Sequence, residues 1–131
     1  MFLTRECDYA IRIVRELADM QVKSVGVICD HEQIPRPFTY KILKKLEKAR
    51  LVNSFRGASG GYLLSKEPDM ITLFDIAIAI DSHLFINECL LPDYKCPRNT
   101  DGNPCGVHLE LGRLQNILTD ALCEKTIAEL V

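Results

Sequence analysis

No stretch of this 131-residue sequence reaches the roughly 18 uninterrupted apolar residues that a membrane-crossing helix needs, and its first eight residues carry Arg5, Glu6 and Asp8 where a secretory leader would be apolar. A cytoplasmic protein with no membrane partner is the expectation. Missing too are the glycine patterns that cradle a nicotinamide, a flavin or a nucleoside triphosphate, and no two cysteines form the C-x-x-C pair of a dithiol centre. These absences weigh against a redox enzyme or an electron carrier, so the chain reads as a non-enzyme. Internal repeats and low-complexity tracts are also lacking. At this length, one compact core with an appendage is expected rather than two full domains.

Nor is there an excess of basic residues: sixteen Lys and Arg against eighteen Asp and Glu give a net charge of -2. By itself that balance argues against nucleic acid as a partner. Its distribution argues the other way. From Arg36 to Arg56 the basic residues Arg36, Lys41, Lys44, Lys45, Lys48, Arg50 and Arg56 face Glu47 alone, a local charge of +6. From Glu67 to Asp101 the acidic residues Glu67, Asp69, Asp75, Asp81, Glu88, Asp93 and Asp101 face only Lys95 and Arg98, a charge of -5. The molecule is electrically two-ended.

Helical periodicity begins after Thr4, an N-cap residue type, with Ala10, Ile13, Val14, Leu17 and Ala18 repeating on one face. Val25 to Gln33 can form a short second helix, which Pro35 and Pro37 interrupt because a residue preceding proline is pushed out of the helical region. Pro37 suits the first turn of a third helix. That helix is expected to bury Phe38, Ile42, Leu46 and Ala49 and to present Lys41, Lys44, Lys45 and Lys48 on the opposite side. Two short helices joined by a tight turn, the second of them basic, form a helix-turn-helix pattern. Leu51 to Arg56 and Tyr62 to Leu64 are strand candidates flanking Gly57-Ala58-Ser59-Gly60-Gly61, a hairpin tip whose glycines permit positive φ. This hairpin is the expected wing.

Thr72 and Asp75 have capping-box spacing ahead of Leu73, Ile76, Ala77 and Ile80, so a further helix should run to Asp81. Residues from Cys89 to Gly106 resist regular assignment, and irregular segments beyond about 12–15 residues are usually functional or disordered. A terminal helix from Val107 to Leu130 carries Leu111, Leu114, Leu118 and Ala121 as a seam suited to a homodimer. The fold expected is therefore mainly α with a small β-wing: a winged helix-turn-helix domain over residues 1–84, a cysteine-rich loop over 85–106, and a long C-terminal dimerisation helix with its tail over 107–131.

A duplex DNA partner follows from this order of elements, because the major groove admits a helix while flanking lysines neutralise phosphates. Arg36, Thr39, Tyr40, Lys41 and Lys44 are the candidate contacts, those nearest the start of the helix reaching base edges. Lys45, Lys48 and Arg50 suit the phosphate backbone. Arg56 at the base of the wing suits the neighbouring minor groove, with Gly60 at the tip. A palindromic operator would match a dimer.

The six cysteines divide by context: Cys7, Cys29 and Cys123 fall in helical segments and read as structural, whereas Cys89, Cys96 and Cys105 share the irregular loop. A reducing compartment makes metal ligation likelier than disulfides for such a group. Structural zinc uses closely spaced cysteine pairs, and none of these three is that close to another. Wider spacing favours an iron–sulfur cluster, while a zinc-stabilised or cluster-free winged-helix repressor is the alternative. His108, three positions beyond Cys105, adds a further donor.

Leu3-Thr4 with Tyr9-Ala10, then Arg56-Gly57-x-x-Gly60-Gly61-Tyr62-Leu63-Leu64, then three loop cysteines, occur here in one order. In this the chain resembles the Rrf-type bacterial transcription regulators over essentially its whole length, and specifically their cluster-binding branch. The resemblance implies a two-iron or four-iron cluster ligated by Cys89, Cys96 and Cys105, whose state of iron–sulfur supply, oxidation or nitric-oxide exposure controls DNA binding. For the fourth ligand it implies either His108, as in the family's cluster-assembly regulators, or Asp8 from the partner subunit, as in its nitric-oxide sensors. Arg50 departs from the family, which usually carries glycine before the leucine that leads into the wing.

Overall fold

Thr4 starts the first helix as its spacing predicts: its hydroxyl accepts the Cys7 N–H at 3.3 Å and α1 runs Arg5–Glu16. The computed structural model describes residues 3–131, so the first two residues of the expected 1–84 unit lie outside it. Helix α1 buries Cys7, Ala10, Ile13 and Val14, and the single 3-10 turn that follows buries Leu17. Helix α2, Val25–Glu32, is capped by Ser24 and ends at Gln33 in the left-handed conformation, a common way to stop a helix. Helix α3, Arg36–Lys48, starts directly after Pro35, with Pro37 in its first turn.

The inward face of α3 differs from the expected one. Thr39, Ile42, Leu43 and Leu46 are buried, whereas Phe38 and Ala49 are exposed. The reason lies in how α3 packs: the cluster it joins draws side chains from α1 and α2, which turns Leu43 inward and leaves Phe38 edge-on against Tyr9, ring centroids 5.9 Å apart. Each fully buried aliphatic side chain of this size contributes roughly 1.5–3 kcal/mol.

At the end of α3 the chain turns through Arg50, whose φ is +59°, while Leu51 N–H reaches back to the Leu46 carbonyl at 2.9 Å. Strands β1, Val52–Phe55, and β2, Gly61–Leu64, then form an antiparallel hairpin in which Val52 pairs with Leu64 and Phe55 with Gly61. Tyr62 and Lys23 exchange two backbone hydrogen bonds of 2.8 and 2.9 Å, fastening the wing to the segment between α1 and α2. Position 61 must be glycine for this, since a Cβ there would lie 2.2 Å from the Lys23 carbonyl oxygen.

Helix α4, Leu73–Ile80, carries the expected capping box: Asp75 N–H donates to Thr72 Oγ1 at 3.2 Å and Thr72 N–H to Asp75 Oδ2 at 2.8 Å. Between it and α5, Gly106–Glu124, the chain forms only a single 3-10 turn at Glu88–Leu90. The terminal helix does not run on to residue 130. It stops at Glu124, the backbone extends, Thr126 bridges to Thr72, and Ile127 N–H donates to the Ile71 carbonyl at 2.8 Å before the short α6, Ile127–Leu130. Burying Ile127 in the core outweighs continuing the helix.

The left-handed turn at Arg50 is strained for any residue with a Cβ. Arg50→Gly should therefore raise the unfolding free energy by about 1 kcal/mol, read as a higher denaturant midpoint at unchanged slope.

Candidate nucleic-acid interface and cysteine loop

Helix α3 and the wing form one exposed surface. Arg36, Tyr40, Lys41, Lys44 and Lys48 are exposed along α3, and Arg56 is exposed where the wing turns. Ser54 Oγ donates to Glu47 Oε1 at 2.6 Å, tying β1 to the helix beside it. At the tip, Gly60 N–H is spent on the Gly57 carbonyl at 3.1 Å, and a Cβ on Gly60 would meet the Phe55 carbonyl oxygen at 2.3 Å. What Gly60 supplies is a tight turn.

Thr39 is corrected. It is fully buried, its hydroxyl lying 3.2 Å from Cys29 Sγ and donating to the Pro35 carbonyl at 3.3 Å, so it faces α2 and not a ligand. Lys41 and Lys45 are not free charges either. Both donate to Glu6 of α1, Lys45 at 2.7 Å, and Lys45 also donates to the Ile80 carbonyl at the end of α4 at 3.2 Å. The Lys41 and Lys45 ammonium groups hold the Glu6 carboxyl below the usual carboxylate range. Glu6 escapes a reading of local spacing because its partners lie 35 and 39 positions away. A second ionic group lies at the other end of α1: Lys23 bridges Glu16 at 3.0 Å and Asp19 at 2.8 Å, and Arg15 pairs with the largely buried Glu32.

In the loop, Asn87 caps the turn that holds Cys89, accepting its N–H at 3.2 Å, and Asn99 Oδ1 accepts the Cys105 N–H at 3.0 Å. Cys105 is the N-cap of α5, which sets His108 in that helix's first turn. Cys89, Cys96 and His108 line one cavity of about 550 Å³, together with Tyr94, Lys95 and Asn99. His108 Nδ1 is itself buried with no hydrogen-bond partner among the described residues, which costs free energy. Cys105 does not line the cavity, and no three His, Cys, Asp or Glu side chains among the described residues are gathered closely enough to hold a metal ion. Asp8 is elsewhere, exposed on α1 and paired with Arg12 at 3.0 Å.

Gln115 fastens this loop to α5. Its Oε1 accepts the Ile86 N–H at 2.9 Å and its Nε2 donates to the Leu84 carbonyl at 3.1 Å. Around it α5 leaves Leu114, Ile117 and Leu118 uncovered, and the helix has no buried residue. No helix among the described residues is long and apolar enough to cross a membrane.

Residues 3–131 match the Rrf2 family, described as iron-dependent transcriptional regulators. A protein of Aquifex aeolicus (strain VF5) described as an HTH-type transcriptional regulator is 37% identical over 126 residues, covering 94% of this chain and 86% of its own. Among solved structures, CymR of B. subtilis, a global cysteine regulator, superposes with a TM-score of 0.76 at 27% identity, covering 97% of this chain and 93% of its own. IscR of T. potens superposes with a TM-score of 0.73 at 22% identity, covering 97% and 83%, and shares the fold.

The burial of Thr39 carries an expected outcome. Thr39→Val should cost about 1 kcal/mol of stability through the lost hydroxyl contacts, while DNA affinity per folded molecule, measured by titration onto a labelled duplex, stays unchanged.

Proposed function

This chain belongs to the Rrf2 family of transcriptional regulators, and on that premise we propose that it is a homodimeric DNA-binding regulator governed by an iron–sulfur cluster on Cys89, Cys96, Cys105 and His108. The single observation that carries the cluster reading is the convergence of Cys89, Cys96 and His108 on one cavity. Soft thiolates with an imidazole suit iron held with sulfide, and Cys105 at the start of α5 is adjacent in the chain to that cavity. Asp8 is engaged by Arg12 on α1, which favours His108 as the fourth donor.

On the DNA side, α3 lies in the major groove with Arg36 and Tyr40 nearest its start and closest to base edges, while Lys41 faces the phosphate backbone. Lys44 and Lys48 continue along the exposed face and reach phosphates, joined by Arg50 just past the helix. Arg56 enters the adjacent minor groove from the base of the wing. The uncovered Leu114, Ile117 and Leu118 of α5 supply the homodimer seam, which sets two α3 helices against a palindromic operator.

When bound, the cluster supplies a redox- and nitric-oxide-sensitive iron centre. The residues of this chain translate its presence: the loop holding Cys89 and Cys96 is tied through Leu84, Ile86 and Gln115 to α5, and α5 to α4 beneath the reading unit. An ordered loop fixes where α5 stands, and with it the spacing of the paired reading helices.

Anaerobic purification should yield coloured protein containing iron and sulfide, and Cys96→Ser should lose the visible absorption. His108→Ala should shift or shorten the lifetime of that absorption, while Asp8→Ala leaves it unchanged. Colourless protein with stoichiometric zinc contradicts the cluster reading and favours a zinc-stabilised repressor.

A further inference from the structure

We propose that Glu6 is a built-in brake on DNA binding, holding Lys41 of the reading helix away from the phosphate backbone. This rests on the reading of α3 as the DNA-contacting helix and is independent of any cluster.

Of the lysines on α3, Lys44 and Lys48 have no ion-pair partner among the described residues. Lys41 and Lys45, one helical turn apart, share the carboxylate of Glu6 in the first turn of α1. The two are not held equally. Lys45 is partly covered and has a second acceptor in the Ile80 carbonyl, at the negative end of α4, so it stays in place with or without Glu6. Lys41 is 56% exposed, has Glu6 as its only ion-pair partner among the described residues, and lies one residue from Tyr40 on the side of α3 that meets solvent. Its ammonium group is exposed but directed back to α1.

DNA must therefore compete with Glu6 for Lys41, and a carboxylate beside the contact surface also repels approaching phosphates. An exposed pair of this kind is worth only a modest amount, so the brake sets the level of affinity and does not abolish binding. Neutralising Glu6 releases one additional cation per subunit to the backbone, two per dimer, and each cation that engages a phosphate steepens the dependence of log affinity on log salt by about 0.9.

The experiment is a salt series of anisotropy titrations of the full chain against a fluorescein-labelled duplex of the DNA immediately upstream of its own coding region. Glu6→Gln, which keeps shape but removes the charge and one acceptor oxygen, should bind roughly 3- to 10-fold tighter, with a slope steeper by about 2 for the dimer. In a Lys41→Ala background the same change should tighten binding by less than about 2-fold, the part owed to charge repulsion alone, and leave the slope unchanged. Asp69→Asn, which alters net charge by the same amount away from α3, should move neither quantity, and Glu6→Ala, checked for folding by its thermal melt, should repeat the Glu6→Gln result. Unchanged or weaker binding by Glu6→Gln overturns the proposal, as does equal tightening in the Lys41→Ala background. If the wild type itself fails to bind duplex at low salt, the premise that α3 reads DNA falls and takes the brake with it.

Discussion

The two backbone hydrogen bonds exchanged between Lys23 and Tyr62 are the constraint on which the surface formed by α3 and the wing depends. A two-stranded hairpin alone is marginal in water. Here β2 gains a backbone partner outside the hairpin, and that approach is possible only because residue 61 has no side chain. The buried Leu51, Val52 and Leu64 then join the core shared by α1, α2 and α3. Ser54, held to Glu47 across the gap between β1 and α3, joins the wing to the helix beside it. Lys23 contributes twice, through its backbone to the wing and through its ammonium group to Glu16 and Asp19 at the end of α1.

The second half of the molecule is built differently. No residue of α5 is buried within one chain, and the helix is kept in place at its middle by Gln115, bound to the backbone at residues 84 and 86, and at its end by the chain beyond Lys125, where Ile127 returns to the core. The cavity that Cys89, Cys96 and His108 line is at the start of that helix, two turns from Gln115. Under the proposed function this is the arrangement a sensor needs, since the element with the least packing of its own is the one most easily biased by what the loop binds.

Local chemistry made much of this legible in advance. The caps at Thr4 and Thr72 involve residues three apart and were visible as residue types at that spacing, as were the glycine-tipped hairpin and the placement of His108 one turn beyond Cys105. Contacts between distant segments were not. The face of α3 was misassigned because Phe38 and Leu43 are both apolar and only the packing of α1 and α2 decides which turns inward. The break before α6 depends on Thr126 meeting Thr72, 54 positions earlier, and the clamp on Lys41 and Lys45 on a glutamate in another helix. Arg50 is a middle case: a glycine is the usual sign of a left-handed turn, and an arginine conceals the turn while leaving its geometry intact.

The central claim is that what the cysteine loop holds sets how the paired reading helices meet DNA. It is tested most directly by titrating iron-loaded and iron-free protein, both prepared anaerobically, onto the same upstream duplex at fixed salt. Coupling between two sites of this kind predicts affinities that differ by about 5- to 150-fold. Equal affinity of the two forms would contradict the claim while leaving the winged helix intact.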